Sequence, residues 1–216
     1  KEEPRIFSKK VSERRISRDN KENADIALII CPPWGTDMPP LGLAYLYSYL
    51  KSKNIIPRLL DLNIKIYNAV SSKGIQNLWG PQNLKCWDGP YFSKILLKIL
   101  EPNICTSVNQ IMSLNTKVVG FSIHQTNTKF SIEVAKRIKT LDKDKIIIFG
   151  GPGSFWRDNL HSIPLGMYDT NGECMVYPGL IDVFVIGEGE KTLYEIVKMI
   201  KEKKELSKIA GALVFK

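Results

Sequence analysis

Several absences narrow this chain before anything present is read. Its four cysteines, at 31, 86, 105 and 174, form no CxxC pair and no CxxxCxxC triplet, and the only histidines beside them are His124 and His161. A structural zinc site needs four closely spaced ligands, and a cluster held by three thiolates needs the triplet, so the chain builds neither alone. No apolar run approaches the roughly 20 residues that cross a bilayer, and no signal-peptide pattern opens the chain. The expected residence is therefore cytoplasmic and not in a membrane, with reduced and mostly buried thiols. Neither GxGxxG nor GxxxxGK[ST] follows the first apolar run, which excludes the usual dinucleotide and phosphate loops. Ile30, Cys31 and Pro32 end that run where a phosphoacceptor domain would carry clustered acids.

Positive charge is in excess, at +9, but the lysines are spread out and no helix-turn-helix, zinc-finger or RNA-recognition pattern accompanies them. A solvated basic surface is expected, not a nucleic-acid partner. Of the 216 residues, 44% are apolar and 25% charged, a composition that supports one well-buried globular core.

Residues 1–23 are dense in charge without apolar period and read as a basic tail; the folded domain is expected over 24–216. ADIALIIC is a nearly continuous apolar run, the pattern of a strand buried on both faces of a parallel sheet. After the loop CPPWGTDMPP, Leu43, Leu46, Tyr47 and Leu50 recur at helical spacing. Further strands are predicted over 55–61, with Pro57 marking an edge, and at VVGFSI (118–123), KIIIFGG (145–151) and DVFVIGEGE (182–190). Helices follow the third and fifth, carrying Phe130, Val134, Ile138 and Leu141 on one face, and Leu193, Ile196, Val197 and Ile200 on another. GALVF (211–215) is a candidate last strand. This alternation predicts an α/β fold: a doubly wound five-stranded parallel sheet in the order 2-1-3-4-5, helices on both faces, and helical insertions. The insertions, 64–116 and 152–181, carry Trp and Leu and are expected to be ordered near the ligand crevice or a partner domain.

In an open parallel sheet, ligands bind beyond the carboxyl ends of the strands. That rim consists here of CPPWGTDMPPLG, SIHQTNT, GGPGS and GEGE. Each loop alone reads as an ordinary βα turn; together their glycines and small polar side chains suit a bound ligand. Glu188 and Glu190 have two readings, capping of the next helix and ligand contact.

MPPLGLAYLYSYLK, then Asp61, Leu62 and Asn63, then VVGFSI, IIIFGGP and DVFVIGEGE occur in that order. The series resembles the N-terminal cobalamin-binding domain of the cobalamin-dependent radical SAM enzymes, from about Ala24 to Phe215. The resemblance implies a flavodoxin-like or Rossmann-like sheet with cobalamin across its C-terminal rim. The corrin's lower face would meet Trp34, Gly35, Thr36, Asp37 and Met38. The nucleotide tail would run past Ser122, His124, Gln125, Thr126, Gly150, Gly151 and Pro152, with Gly187 and Glu188 completing the cofactor set. On this reading Gly151→Val abolishes cobalamin retention and leaves the fold intact.

Many cobalamin proteins carry a D-x-H-x-x-G loop whose histidine ligates cobalt; here the loop has Asp37 and no histidine, so no metal ligand is expected from it. The closing AGALVF is similar to the stretch that precedes the radical SAM barrel. A catalytic domain supplying a [4Fe–4S] cluster and S-adenosylmethionine is thus expected after residue 216, as this domain's partner. The implied function is to present the corrinoid to that domain for methyl or electron transfer. One alternative is the same fold without cobalamin, as scaffold or substrate-recognition domain of a radical SAM protein; another is an independent Rossmann-type small-molecule enzyme.

Overall fold

The structure, a computed structural model, describes residues 22–70, 73–152, 179–206 and 209–214. Along the chain come β1 (Glu22–Asn23), β2 (Ile26–Ile30), α1 (Leu41–Ser52), β3 (Pro57–Asp61) and α2 (Leu62–Ala69). A compact helical stretch follows: α3 (Lys73–Gln76), two 3-10 segments (Asn77–Trp79 and Pro81–Trp87), α4 (Gly89–Tyr91), a π-helical turn (Phe92–Leu96) and α5 (Leu97–Ser113). Then come β4 (Leu114–Asn115), β5 (Val118–Ser122), α6 (Thr128–Leu141), β6 (Ile146–Gly150), β7 (Val183–Val185), α7 (Gly189–Lys201) and β8 (Ala212–Val214).

The main sheet has the order β3-β2-β5-β6-β7-β8. Its first five strands are parallel and correspond to the predicted order 2-1-3-4-5. The sheet has six strands, not five, because β8 joins β7 antiparallel. The physical reason lies after α7. The chain climbs back to the C-terminal rim, where Thr192 Oγ1 donates to Ala210 O and Ile186 N–H to Gly211 O. β8 therefore starts at the top of the sheet and can only run down it. Glu22 and Asn23, just before the predicted boundary at Ala24, pair in parallel with Leu114 and Asn115.

Alternation along β2 divides the core in two. Ile26, Leu28 and Ile30 face α1 and α7, together with Val118, Ile148, Val183 and Val185. Ala27, Ile29 and Cys31 face α2, α5 and α6. Every residue of β2 is buried, as its unbroken apolar run requires of a central parallel strand. Pro57 opens the edge strand β3, where no ladder bond needs its missing N–H. In α6, Phe130, Val134 and Ile138 are buried but Leu141 is 61% exposed. It shares their face, yet as the helix's last residue it stands a turn beyond Ile138 and outside the core they enter.

The described residues of the stretch 64–116 cover the face opposite α1 and α7. Trp79 and Trp87 are both buried there and meet edge-on, with centroids 4.7 Å apart. Trp79 of this stretch donates to Asn63 beside the rim, and Asp88 pairs with Lys129 at the start of α6. The insertion 152–181, with His161, falls mostly outside the described residues. Among those residues no helix is long and apolar enough to cross a membrane.

Candidate functional site

The connections leaving β2 and β5 lead to helices on opposite faces, α1 on one and α6 on the other. This is the switch point at which an open α/β sheet leaves a crevice. A cavity of about 470 Å³ lies at this rim, on the face shared by α1 and α7, a size in the range of small-molecule sites.

The cavity exists because side chains are missing where the sheet would otherwise fill it. Gly120 pairs with Ile148, and Ser122 with Gly150, across β5 and β6. Gly120, Ser122 and Gly150 all line the cavity, so three of the four positions that floor it here carry a hydrogen or a hydroxymethyl group. A Cβ at Gly120 would find Ile26 Cδ1 at 3.5 Å and Leu28 Cδ2 at 3.7 Å, ordinary contact distances. The backbone there does not demand glycine; the open floor does. Leu28, Leu43, Leu46 and Leu193 supply apolar walls. Gly189 opens α7 beside α1, where a Cβ would meet Leu46 Cδ2 at 3.4 Å, an ordinary contact distance.

Two buried asparagines hold the loops around this opening. Asn63, at 0% exposure, accepts from Trp34 N–H at 2.9 Å and Trp79 Nε1–H at 2.7 Å. Its amide donates back to the carbonyls of Trp34 and Gly35, both at 3.3 Å. It is aimed by α2, whose start Asp61 caps by accepting Ile64 N–H. Asn127, also at 0%, accepts His124 N–H at 2.8 Å and donates to Ser122 O and Cys31 O. Thr126 Oγ1 adds a bond to Pro33 O. The first and third rim loops are thereby locked to each other and to the core.

Of the sequence-predicted residues, Trp34, Met38, Ser122, His124, Gly150, Gly151, Pro152, Gly187 and Glu188 line the cavity. Gly35, Thr36, Asp37, Gln125 and Thr126 do not: Thr36, Asp37 and Gln125 are exposed, and Thr126 is spent on Pro33. Gly151 has φ +112°, and a Cβ there would lie 2.9 Å from Ile123 O. The expected clean effect of Gly151→Val is therefore corrected: the substitution strains the turn itself. Sequence reading passed over Asn63 and Asn127 as site residues, and over Gly120, Leu46, Gly189 and Leu193. Gly120 had a legible signal, a glycine inside an apolar strand; Asn63 stood in the quoted series and Asn127 in the third loop, but nothing local marked the burial that gives them their role.

Trp34 stacks on His124 with centroids 4.0 Å apart and planes 32° apart. Burial holds the His124 imidazole below its ordinary pKa of 6.5, so it is a neutral ring at physiological pH. Trp34 Nε1 is buried without a hydrogen-bond partner among the described residues. Glu188 is the residue before α7 and makes no side-chain cap bond; Glu190 sits in the first turn, and both line the cavity. No group of three or more His, Cys, Asp or Glu among the described residues is placed to hold a metal. The thiols are less buried than expected: Cys31 is buried, Cys86 half-buried and Cys105 exposed, all three free, while Cys174 lies outside the described residues. Burial pushes the Cys31 thiol up to about 12, and it faces away from the cavity.

The chain matches no protein-family model and no curated protein sequence. Its fold is similar to solved structures of the radical S-adenosylmethionine methyltransferase TsrM from Kitasatospora setae. One, with tryptophan substrate and a SAM analogue bound, aligns at a TM-score of 0.51 and 16% identity, covering 88% of this chain and 28% of that one. Another, with cobalamin and a [4Fe–4S] cluster bound, aligns at 0.52 and 15%, covering 88% and 29%. The chain thus spans less than a third of TsrM's length, and at this identity the likeness is one of fold.

Proposed function

We propose that this domain binds cobalamin in the rim cavity and presents it to a radical SAM catalytic domain. The observation that carries the reading is the floor of small residues. Gly120, Ser122 and Gly150 are adjacent on one sheet face and open a cleft that runs from the rim down onto the strands. A bulky ligand with a slender appendage suits that shape: the appendage enters the cleft and the body stays on the rim, beside Trp34 and Met38. The apolar walls and the polar rim fit an amphiphile such as a corrinoid. The fold likeness to TsrM supports this reading.

In such a complex Trp34, His124 and Met38 would border the corrin, and Gly120, Ser122 and Gly150 would admit its tail. When bound, the group supplies a cobalt centre able to carry a methyl group or an electron. Asn63 and Asn127 hold the loops that meet it. The Trp34–His124 stack presents an apolar surface with a neutral imidazole, and no D-x-H-x-x-G histidine stands in the first loop. A [4Fe–4S] cluster and S-adenosylmethionine would be held by residues beyond this sequence.

The test is direct. The purified 216-residue chain is mixed with hydroxocobalamin, desalted, and its visible spectrum taken. Corrin absorbance eluting with the protein, and lost in a folded Gly120→Val variant, is the expected result. Absence of retention would overturn the reading in favour of a scaffold domain of the same fold.

A further inference from the structure

A side-chain amide has two acceptor sites on its oxygen and two donor hydrogens on its nitrogen, and buried Asn63 uses all four. Its oxygen accepts from Trp34 N–H at 2.9 Å and from Trp79 Nε1–H at 2.7 Å. Its hydrogens go to the carbonyls of Trp34 and Gly35, both at 3.3 Å. Three of these bonds belong to the first rim loop. The fourth comes from the helical stretch that covers the opposite face of the sheet. The Trp79 indole is itself held fast: it is buried and meets Tyr67 and Trp87 edge-on, with centroids at 5.5 and 4.7 Å. Trp87 in turn donates its Nε1–H to Leu78 O at 2.8 Å.

We propose that Trp79 is a positioning residue for the cavity: its indole N–H fixes the Asn63 amide and, through it, the Trp34 side of the Trp34–His124 wall. The three loop bonds tie Asn63 and the loop to each other, but leave the pair free to shift together as the Asn63 side chain turns about its own bonds. The bond from Trp79 anchors the amide to a rigid body outside the loop. Neither Trp79 nor any other described residue of the stretch 64–116 lines the cavity, so this stretch sets the aromatic wall from behind. A buried donor that loses its acceptor is costly, which gives the anchor its strength. Only the ligand arm of the test below rests on the cobalamin reading.

The experiment compares Trp79→Phe with Trp87→Phe in the 216-residue chain. Each keeps an aromatic ring in the same cluster and deletes one indole N–H, but only Trp79 donates to Asn63. The His124 ring-proton shifts, assigned by their loss in His124→Phe, report through its ring current the Trp34 indole 4.0 Å away. They are expected to move further in Trp79→Phe than in Trp87→Phe. Equal shifts in the two variants would make Trp79 a packing residue only and overturn the proposal. Hydroxocobalamin should bind Trp79→Phe about three- to tenfold more weakly than Trp87→Phe, and equal dissociation constants overturn the proposal too. If the parent chain holds no hydroxocobalamin, the cobalamin reading falls, and the histidine shifts still decide this inference. If Trp79→Phe does not fold, hydrogen exchange in the parent decides it. The Trp34 amide and Trp79 Nε1–H share one acceptor, so their protection factors should agree within about tenfold; a larger gap means that the loop moves without Trp79, and overturns the proposal.

Discussion

The indole of Trp34 and the imidazole of His124 pack with 4.0 Å between centroids and a tilt of 32°, and join two loops that are 90 residues apart in the chain. Each ring is placed by a buried asparagine: Asn63 binds the backbone of Trp34, and Asn127 that of His124. The stack borders the cavity, so whatever enters there meets an aromatic wall already fixed from behind.

Acid should loosen this arrangement. Burial lowers the His124 pKa from 6.5, so as pH falls below that value the unfolded chain takes up a proton that the folded one resists. Stability contributed by the neutral ring is complete above 6.5 and is lost as pH falls toward the folded pKa, at no more than about 1.4 kcal/mol per pH unit. Urea midpoints between neutral and mildly acidic pH should decline less in His124→Phe than in the parent. Equal slopes would mean that the ring protonates freely in place.

If cobalamin binds as proposed, electron paramagnetic resonance of the cob(II)alamin complex should show cobalt lines without nitrogen splitting. The first loop carries no histidine, and no histidine besides His124 is among the described residues. Triplets that disappear in His124→Ala would put this imidazole on the metal and refute the assignment.

Replacing Asn63 by Leu leaves the N–H groups of Trp34 and Trp79 without their acceptor in the protein interior. Unsatisfied buried donors cost about 1–3 kcal/mol each, so a loss of about 2–6 kcal/mol is expected from urea unfolding. Near-ultraviolet circular dichroism should change as well, because two tryptophans lose their anchor. A fall below 1 kcal/mol would show that water replaces the amide.

The glycines divide into two kinds. At Gly120 a methyl group meets only ordinary contacts, so Gly120→Ala should hold or raise stability, by up to about 1 kcal/mol through reduced chain entropy. At Gly151 the left-handed φ and the 2.9 Å approach to Ile123 O make Gly151→Ala costly, about 1–3 kcal/mol. Thermal melts of the two variants should move in different directions; a matching decline would contradict the account of the cavity floor.

Iodoacetamide treatment at about pH 8 followed by peptide mapping tests the thiols. Cys105 is exposed and should be modified in the native chain. Cys31, buried and pushed up to about 12, carries almost no thiolate and should react only after unfolding in urea. Native labelling of Cys31 would show that the β2 end of the core opens.

How much of this was legible from residues alone can be followed strand by strand. β2, β5 and β6 announced themselves as unbroken apolar runs, and Pro57 marked its strand as an edge, because burial on two faces or one leaves a local pattern. α1 and α7 were equally plain from their periodic leucines and isoleucines. β8 was the exception in direction: a strand's orientation depends on where the preceding segment delivers the chain, and only the bonds of Thr192 and Ile186 to the chain at 210–211 decided that.

The site divides the same way. Sequence determined that four loops, each polar, glycine-rich or proline-rich, share one rim, since a parallel sheet puts every βα loop on the same side. It also determined that the first loop carries no histidine. Tertiary structure decided which of those residues meet. Trp34, Met38 and His124 line one cavity while Asp37 and Gln125 face solvent, and Gly120, deep in a strand, matters more than Gly35 in the loop. A cavity is the space left between side chains of four strands and two helices, and no local pattern in one strand records the absence of a neighbour in another. The same holds for Asn63 and Asn127, whose hydrogen bonds span at their longest 29 and 96 residues of chain. Such bonds exist only once the sheet has brought the loop ends together.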